Sequence, residues 1–211
     1  MPVNHSILLT GFEPFADYAV NPSQQIVKRL KASLAGDIDA VVLPVSYATL
    51  SSVLFASLHS RQWSAVICFG LHGAAGSVRL ETLGRNQICS ATADNDGVVG
   101  AGGLAVTDGK ATLPTTLPIS DISTALATAQ VPAARSDDAG GYLCNYTLYT
   151  VLHDIEQRKA NTLAGFIHLP PLPSQKPYGM DMERQEQAAH IVVETVARHL
   201  ELHRSAAQLG S

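Results

Sequence analysis

Four short apolar runs, at 6–9, 40–45, 65–69 and 163–169, constrain this chain more than any other feature of its sequence. Each lies beside a glycine or proline, and none is long enough for a core helix. Runs of that kind suit strands buried on both faces of a sheet. Between them the apolar period lengthens to that of a helix. Asn21 followed by Pro22 suits an N-cap and first helical position, opening a helix to about residue 34 with Ile26, Val27 and Leu30 turned inward. Further helices are expected at 48–59, 121–128, 142–158 and 182–203. Strands separated by helices imply an α/β fold, a sheet covered on both faces with its sites at the carboxyl ends of strands.

Two segments break that rhythm. Val78, Leu80 and Thr82 alternate with polar neighbours, so 77–89 is expected to form an extra, partly antiparallel strand pair, making the sheet mixed but mostly parallel. Glycines at 97, 100, 102, 103 and 109 mark 94–109 as a surface loop or hairpin. With 211 residues, 46% of them hydrophobic and 15% charged, the chain can bury one sizeable core, and 1–211 is read as a single domain. The small and polar residues from about 205 onward read as a flexible tail.

A formal net charge of −4 provides no basic field for phosphates, so nucleic acid is not an expected partner. The first six residues lack the basic start and apolar stretch of a secretory signal, and no apolar run reaches the length of a membrane span. A cytoplasmic location with no membrane association follows as the expectation. Cys68, Cys89 and Cys144 show no CxxC spacing and are read as free thiols. No metal-ligand spacing, phosphate loop or dinucleotide fingerprint occurs, so neither metal nor cofactor is expected.

The segment richest in chemistry is Asp138-Ala139-Gly140-Gly141-Tyr142-Leu143-Cys144-Asn145. Two glycines lead into a helix that carries a cysteine in its first turn. Unpaired N–H groups and the positive end of the helix dipole favour a thiolate there, and the expectation is a thiol lowered toward neutrality. The same N–H groups can cradle an oxyanion. The plain alternative is a buried cysteine packed as a small apolar residue. A cysteine nucleophile needs a base, and His168 sits at the carboxyl end of the run 163–169. A buried histidine satisfied by a backbone carbonyl is its alternative reading. The histidine in turn needs an orienting acid. Glu81, close behind a strand, is the best candidate, though an ion pair with Arg79 or Arg85 would also account for it. Asp94 is a rival acid, in an Asn-Asp-Gly context that ordinarily makes a turn. His72 follows a strand and reads as loop-exposed rather than ligand-facing, and His5 as part of a mobile terminus.

At this point the residues resemble a known family, the pyroglutamyl peptidases of type I, also called pyrrolidone-carboxylate peptidases. The likeness runs through Leu8-Leu9-Thr10-Gly11-Phe12-Glu13-Pro14-Phe15, Asn21-Pro22-Ser23, Leu80-Glu81 with Asn86, Asp94-Asn95 with Gly97, 138–145, and Phe166-Ile167-His168-Leu169-Pro170. It implies a three-layer α/β/α sandwich of the phosphorylase/hydrolase-like kind and a triad of Glu81, Cys144 and His168. It also implies an apolar substrate pocket lined by Phe12, Phe15, Tyr142 and Leu143, peptides with an N-terminal pyroglutamate as substrates, and a homo-oligomer, dimeric or tetrameric. The expected reaction is thiol-dependent removal of that residue through a thioester. The alternative is a catalytically silent or regulatory peptide-binding protein on the same scaffold. Leu71, His72, Ala74 and Ala75 depart from the commonest bacterial pattern of the family, and Thr82-Leu83-Gly84-Arg85 looks closer to an animal-type branch. A glutamine amidotransferase, which also uses Cys, His and Glu, fits poorly. Leu143 and Asn145 stand where that class needs glycines, and Pro170 where it usually has an acid.

Overall fold

The computed structural model describes the backbone of residues 3–100 and 102–209 and the side chains of 5–100 and 102–204. Its main sheet has six strands in the order β2 (Gly36–Leu43), β1 (Val3–Phe12), β3 (Ala65–Leu71), β8 (Leu163–Leu169), β4 (Val78–Glu81), β7 (Ala133–Ser136). All neighbours pair in parallel except β8 and β4, which are antiparallel. The sheet is therefore mixed and mostly parallel, as the alternation at 78–82 implied. A separate antiparallel pair joins β5 (Leu83–Arg85) to β6 (Thr112–Pro114).

Here one expectation is corrected. Residues 77–89 do form two strands, but they do not pair with each other. After Glu81 the Thr82 N–H bonds the Ser136 carbonyl 2.7 Å away, and the chain then leaves the main sheet to pair with 112–114. Strands β6 and β7 are too short to carry a readable period. His5 is corrected as well: β1 starts at Val3 beside Gly36, and His5 is buried rather than part of a loose end.

Alternation along the strands divides the interior into two layers. Ile7 and Leu9, Ala65, Ile67 and Phe69, Val78 and Leu80, and Ile167 and Leu169 point to one face. There they meet α1 (Pro22–Ser33), α3 (Ile119–Thr128) and α5 (Met182–Leu209). Helix α1 forms as its sequence suggests: the Asn21 side chain accepts the Ser23 N–H, Pro22 occupies the first turn, and Ile26, Val27 and Leu30 are fully buried. Burying three such side chains contributes about 1.5–3 kcal/mol each before entropy is counted. Leu8, Val66, Cys68, Ala164 and Phe166 point the other way, against α2 (Leu50–Leu58) and α4 (Leu143–Gln157). Helices thus cover both faces, giving three layers. The backbone of α5 stays helical through 205–209 of the segment read as a tail, and residues 210 and 211 lie outside the described residues.

Strand parity also decides where the polar residues go. His168 shares its face with Phe166, and Arg79 and Glu81 share theirs, so all four lie on the α4 side of the sheet. Register sets Arg79 opposite His168 and Glu81 opposite Phe166. The acid is consequently one diagonal step from the histidine, within reach of a long side chain.

Candidate active site

His168 and Glu81 are 2% and 0% exposed, and the His168 Nδ1 lies 2.8 Å from the Glu81 Oε1. Two buried ionisable groups at that distance hold one another in place: the carboxylate selects the tautomer with its proton on Nδ1, which leaves Nε2 free to accept one. Burial alone would raise the Glu81 pKa. The hydrogen bond and charge of His168, with Ser136 and the Arg79 guanidinium, outweigh it and hold the carboxyl below its ordinary value. The Arg79 Nε donates to the same Oε1 at 3.2 Å, so both readings of Glu81 hold at once: it orients a histidine and pairs with an arginine.

Cys144 is the second residue of α4. Gly140 brings the chain to that helix with φ at 82°, in the left-handed region that suits glycine, and its N–H bonds the Asp138 Oδ1 at 2.9 Å. Tyr142 is the N-cap, and no side chain caps the helix. The N–H groups of its first turn are therefore left for a ligand. Asn145 follows the cysteine, fully buried, and clamps α4 to β5: its Oδ1 accepts the Arg85 N–H, and its Nδ2 donates to the carbonyls of Arg85 and Gln87.

The thiol itself departs from expectation. Burial pushes Cys144 up to about 12, with the charges of Glu81 and Cys68 acting in the same direction. The sulfur lies beside Gly70 and Phe166, an apolar enclosure that disfavours its charged form. The group awaiting substrate is a neutral thiol, which has to lose its proton during the reaction.

A cavity of about 260 Å³ joins these groups. Cys144 and His168 line it, together with Phe12, Phe15, Tyr142 and Leu143, the four residues expected to form a substrate pocket. Phe15 and Tyr142 form one wall, their ring centres 6.0 Å apart. Phe12 and Leu143 belong to the core and show only an edge. Sequence reasoning missed Asn21, Val45, Thr92 and Ala139 as lining residues. Asn21 carried a legible signal, but for capping; Val45 and Thr92 carried none. His72 was assigned to an exposed loop, and it instead lines the cavity, its ring edge-on to His168 with centres 5.2 Å apart. Asp94 lies elsewhere: its carboxylate accepts the N–H groups of Tyr47, Asp96 and Val98 and organises the turn. That turn is tied to the loop that carries Phe15, the Asn95 side chain donating to the Pro14 carbonyl at 3.0 Å. Among the described residues no cluster of His, Cys, Asp and Glu could hold a metal, and no helix is long and apolar enough to cross a membrane.

Strand ends that carry a buried Glu–His pair, facing a thiol at the start of a covering helix, put the chain in the class of α/β cysteine hydrolases. Comparison with known proteins narrows this. The sequence profile of the pyroglutamyl peptidase family matches residues 5–203, and the chain belongs to that family. It is 38% identical over 167 residues to the pyrrolidone-carboxylate peptidase of Oceanobacillus iheyensis, covering 78% of this chain and 83% of that one. To the protein of the same name from Thermococcus kodakarensis it is 34% identical over 197 residues, 93% and 92% of the two chains. The crystal structure of the pyroglutamyl peptidase I of Bacillus amyloliquefaciens superposes with a TM-score of 0.88 at 29% identity, covering 93% of this chain and 97% of that one. A variant of the Pyrococcus furiosus pyrrolidone carboxyl peptidase superposes with a TM-score of 0.87 at 30% identity, covering 92% and 99%.

Proposed function

We propose that this chain hydrolyses the amide bond after an N-terminal pyroglutamyl residue, with Cys144 as nucleophile, His168 as general base and acid, and Glu81 as the group that orients His168. The observation that carries the reading is the 2.8 Å contact between His168 Nδ1 and Glu81 Oε1, with His168 lining the same cavity as a thiol at an uncapped helix start. His168 accepts the Cys144 proton as sulfur attacks the pyroglutamyl carbonyl carbon. The negative oxygen is received by the free N–H groups at the start of α4. Collapse breaks the carbon–nitrogen bond, and His168 passes its proton to the departing amine. Water, deprotonated by His168, then attacks the thioester, releasing pyroglutamate and restoring the thiol.

Phe12, Phe15, Tyr142 and Leu143 suit the lactam ring, which is small and uncharged. A free α-ammonium brought among them would lose its hydration without a partner, so blocked termini are preferred. The same reading includes one domain over 1–211, a cytoplasmic location and a dimeric or tetrameric assembly. The test is release of a chromophore from a pyroglutamyl amide, beside the amides of proline and glutamate, by wild type and Cys144→Ala. Cleavage of the pyroglutamyl compound alone, lost in Cys144→Ala, is expected. A folded wild type that cleaves none of the three would instead support a silent peptide-binding protein.

A further inference from the structure

Among the described residues Arg79 is the one arginine or lysine paired with the buried acid, and it does more than pair with it. Its Nε donates to the Glu81 Oε1 at 3.2 Å, while Nη2 donates to the Ser136 Oγ at 2.5 Å and the Asp138 carbonyl at 2.9 Å. One planar guanidinium therefore spans from the acid on β4 to the turn at 136–138, which runs directly into Ala139 and Gly140 on the cavity wall and then into α4.

The charge balance of the site shows why this matters. Glu81 is wholly buried, its Oε2 has no hydrogen-bond partner, and its other neighbour, His168, takes up a proton and gives it away twice in each turnover of the proposed reaction. When His168 is neutral, a buried carboxylate beside it has no cation there and is driven to take a proton. A protonated Glu81 cannot stabilise the imidazolium that the next step creates. A guanidinium keeps its charge throughout.

We infer that Arg79 is a positioning residue: it keeps Glu81 a carboxylate while His168 carries no charge, and it ties that acid to the turn that sets the start of the nucleophile's helix. This rests on the proposed reaction. The groups facing Glu81 are His168 from β8, Arg79 from its own strand, Ser136 from β7, Cys144 from α4 and, beyond His168, His72 after β3. Arg79 is the permanent cation among them. It also acts through hydrogen bonds that need its fork, so the two roles separate on substitution.

The test is the pH profile of kcat/KM on a pyroglutamyl amide for wild type, Arg79→Gln, Arg79→Lys and Ser136→Ala, with thermal unfolding of each. Arg79→Gln is expected to move the acid limb up by about one pH unit or more. Arg79→Lys should leave the limb near wild type but raise KM, because the ammonium keeps the charge and loses the fork. Ser136→Ala should raise KM and, because the Ser136 hydroxyl also helps to hold the Glu81 carboxyl down, move the limb in the same direction as Arg79→Gln. An Arg79→Gln profile superimposed on that of wild type overturns the inference. Should that variant not fold, Arg79→Lys decides: a limb at the wild-type position supports the charge role, and one shifted by a full unit overturns it. If wild type does not cleave the amide at all, the proposed function fails instead. The infrared carboxylate band of Glu81, titrated in wild type and Arg79→Gln, then decides the role of Arg79 by itself, an unchanged midpoint overturning it.

Discussion

Gly70 lies so close to Cys144 that a Cβ built on it would stand 3.0 Å from the Sγ, and 2.6 Å from the Cζ of Phe166. The strand next to β8 thus has no side chain at the point where thiol and histidine share a cavity. Gly70→Ala is expected to push the Phe166 ring and the sulfur aside, costing about 1–3 kcal/mol in stability. The loss of kcat should exceed any change in KM, since the displaced atom is the reacting one. Chemical denaturation and steady-state kinetics check both, and an alanine variant with wild-type kcat would show that the thiol has room to spare.

The resting thiol makes a second prediction. With its pKa pushed up to about 12 by burial, Cys144 should react with iodoacetamide at a rate still climbing about tenfold per pH unit at pH 10. Peptide mass analysis separates its alkylation from that of Cys89, which is exposed. A plateau near neutrality would mean a preformed thiolate and would remove the need for His168 as base in the first step.

Removing the acid should act on activity and stability in different pH ranges. In Glu81→Gln the imidazole loses its anionic partner, and kcat/KM should fall by about a hundredfold or more at neutral pH. Because the folded-state pKa of Glu81 is below its ordinary 4.5, its contribution to stability is fully present above 4.5 and disappears as pH falls through the lower folded value. The stability gap between wild type and variant should therefore be constant above that pH and narrow below it. Denaturant titrations at several pH values give the gap directly, and a gap unchanged in acid would show that Glu81 is not ionised at neutrality.

Much of this site could be read from the chain before any coordinates. Cys144 after two glycines, His168 at the end of an apolar run and Glu81 behind an alternating segment each carried a local signal, and the structure sets Cys144 and His168 on one cavity with Glu81 buried behind the histidine. The alternation at 78–82 was legible because every second residue faces α4, whereas the partners of that strand were not. Antiparallel pairing of β4 with β8 and parallel pairing with β7 depend on residues more than fifty positions away. The direction of the thiol shift was missed for a similar reason: a helix start is local, but the residues that enclose the sulfur come from β3 and β8. His72 was misassigned because a glycine-flanked histidine after a strand looks like loop, and only the fold turns its ring onto His168.

The packing of Asn145 yields a further test. Its amide satisfies the Arg85 N–H and the carbonyls of Arg85 and Gln87, all at 2.8 to 3.0 Å, from a fully buried position beside the nucleophile. Asn145→Ala leaves those backbone groups without their partner and should cost about 1–3 kcal/mol. Asp at this position accepts the N–H but cannot donate, and brings a buried charge as well, so Asn145→Asp should be at least as destabilising. Thermal or urea unfolding ranks the two, and an Asp variant as stable as wild type would show that the clamp is held by the single accepted bond.

His72 gives the acid side of the stability curve a second, separate window. Burial, with the charges of His168 and Arg79, pulls its pKa down from an ordinary 6.5 to about 4, so the folded chain keeps this imidazole neutral where the unfolded chain takes up a proton. A group depressed in that direction favours unfolding as pH falls: the penalty is absent above 6.5, grows between 6.5 and 4, and stops growing below. His72→Gln removes the titration but keeps a polar side chain on the cavity wall. Wild type should lose more stability than the variant between pH 6.5 and 4, while the two curves run parallel between pH 7 and 8. That window lies above the one set by Glu81, so urea titrations at half-unit intervals resolve them. Curves that stay parallel down to pH 4 would mean that His72 takes up its proton as freely in the folded chain as in the unfolded one, and that its place against His168 is open to water.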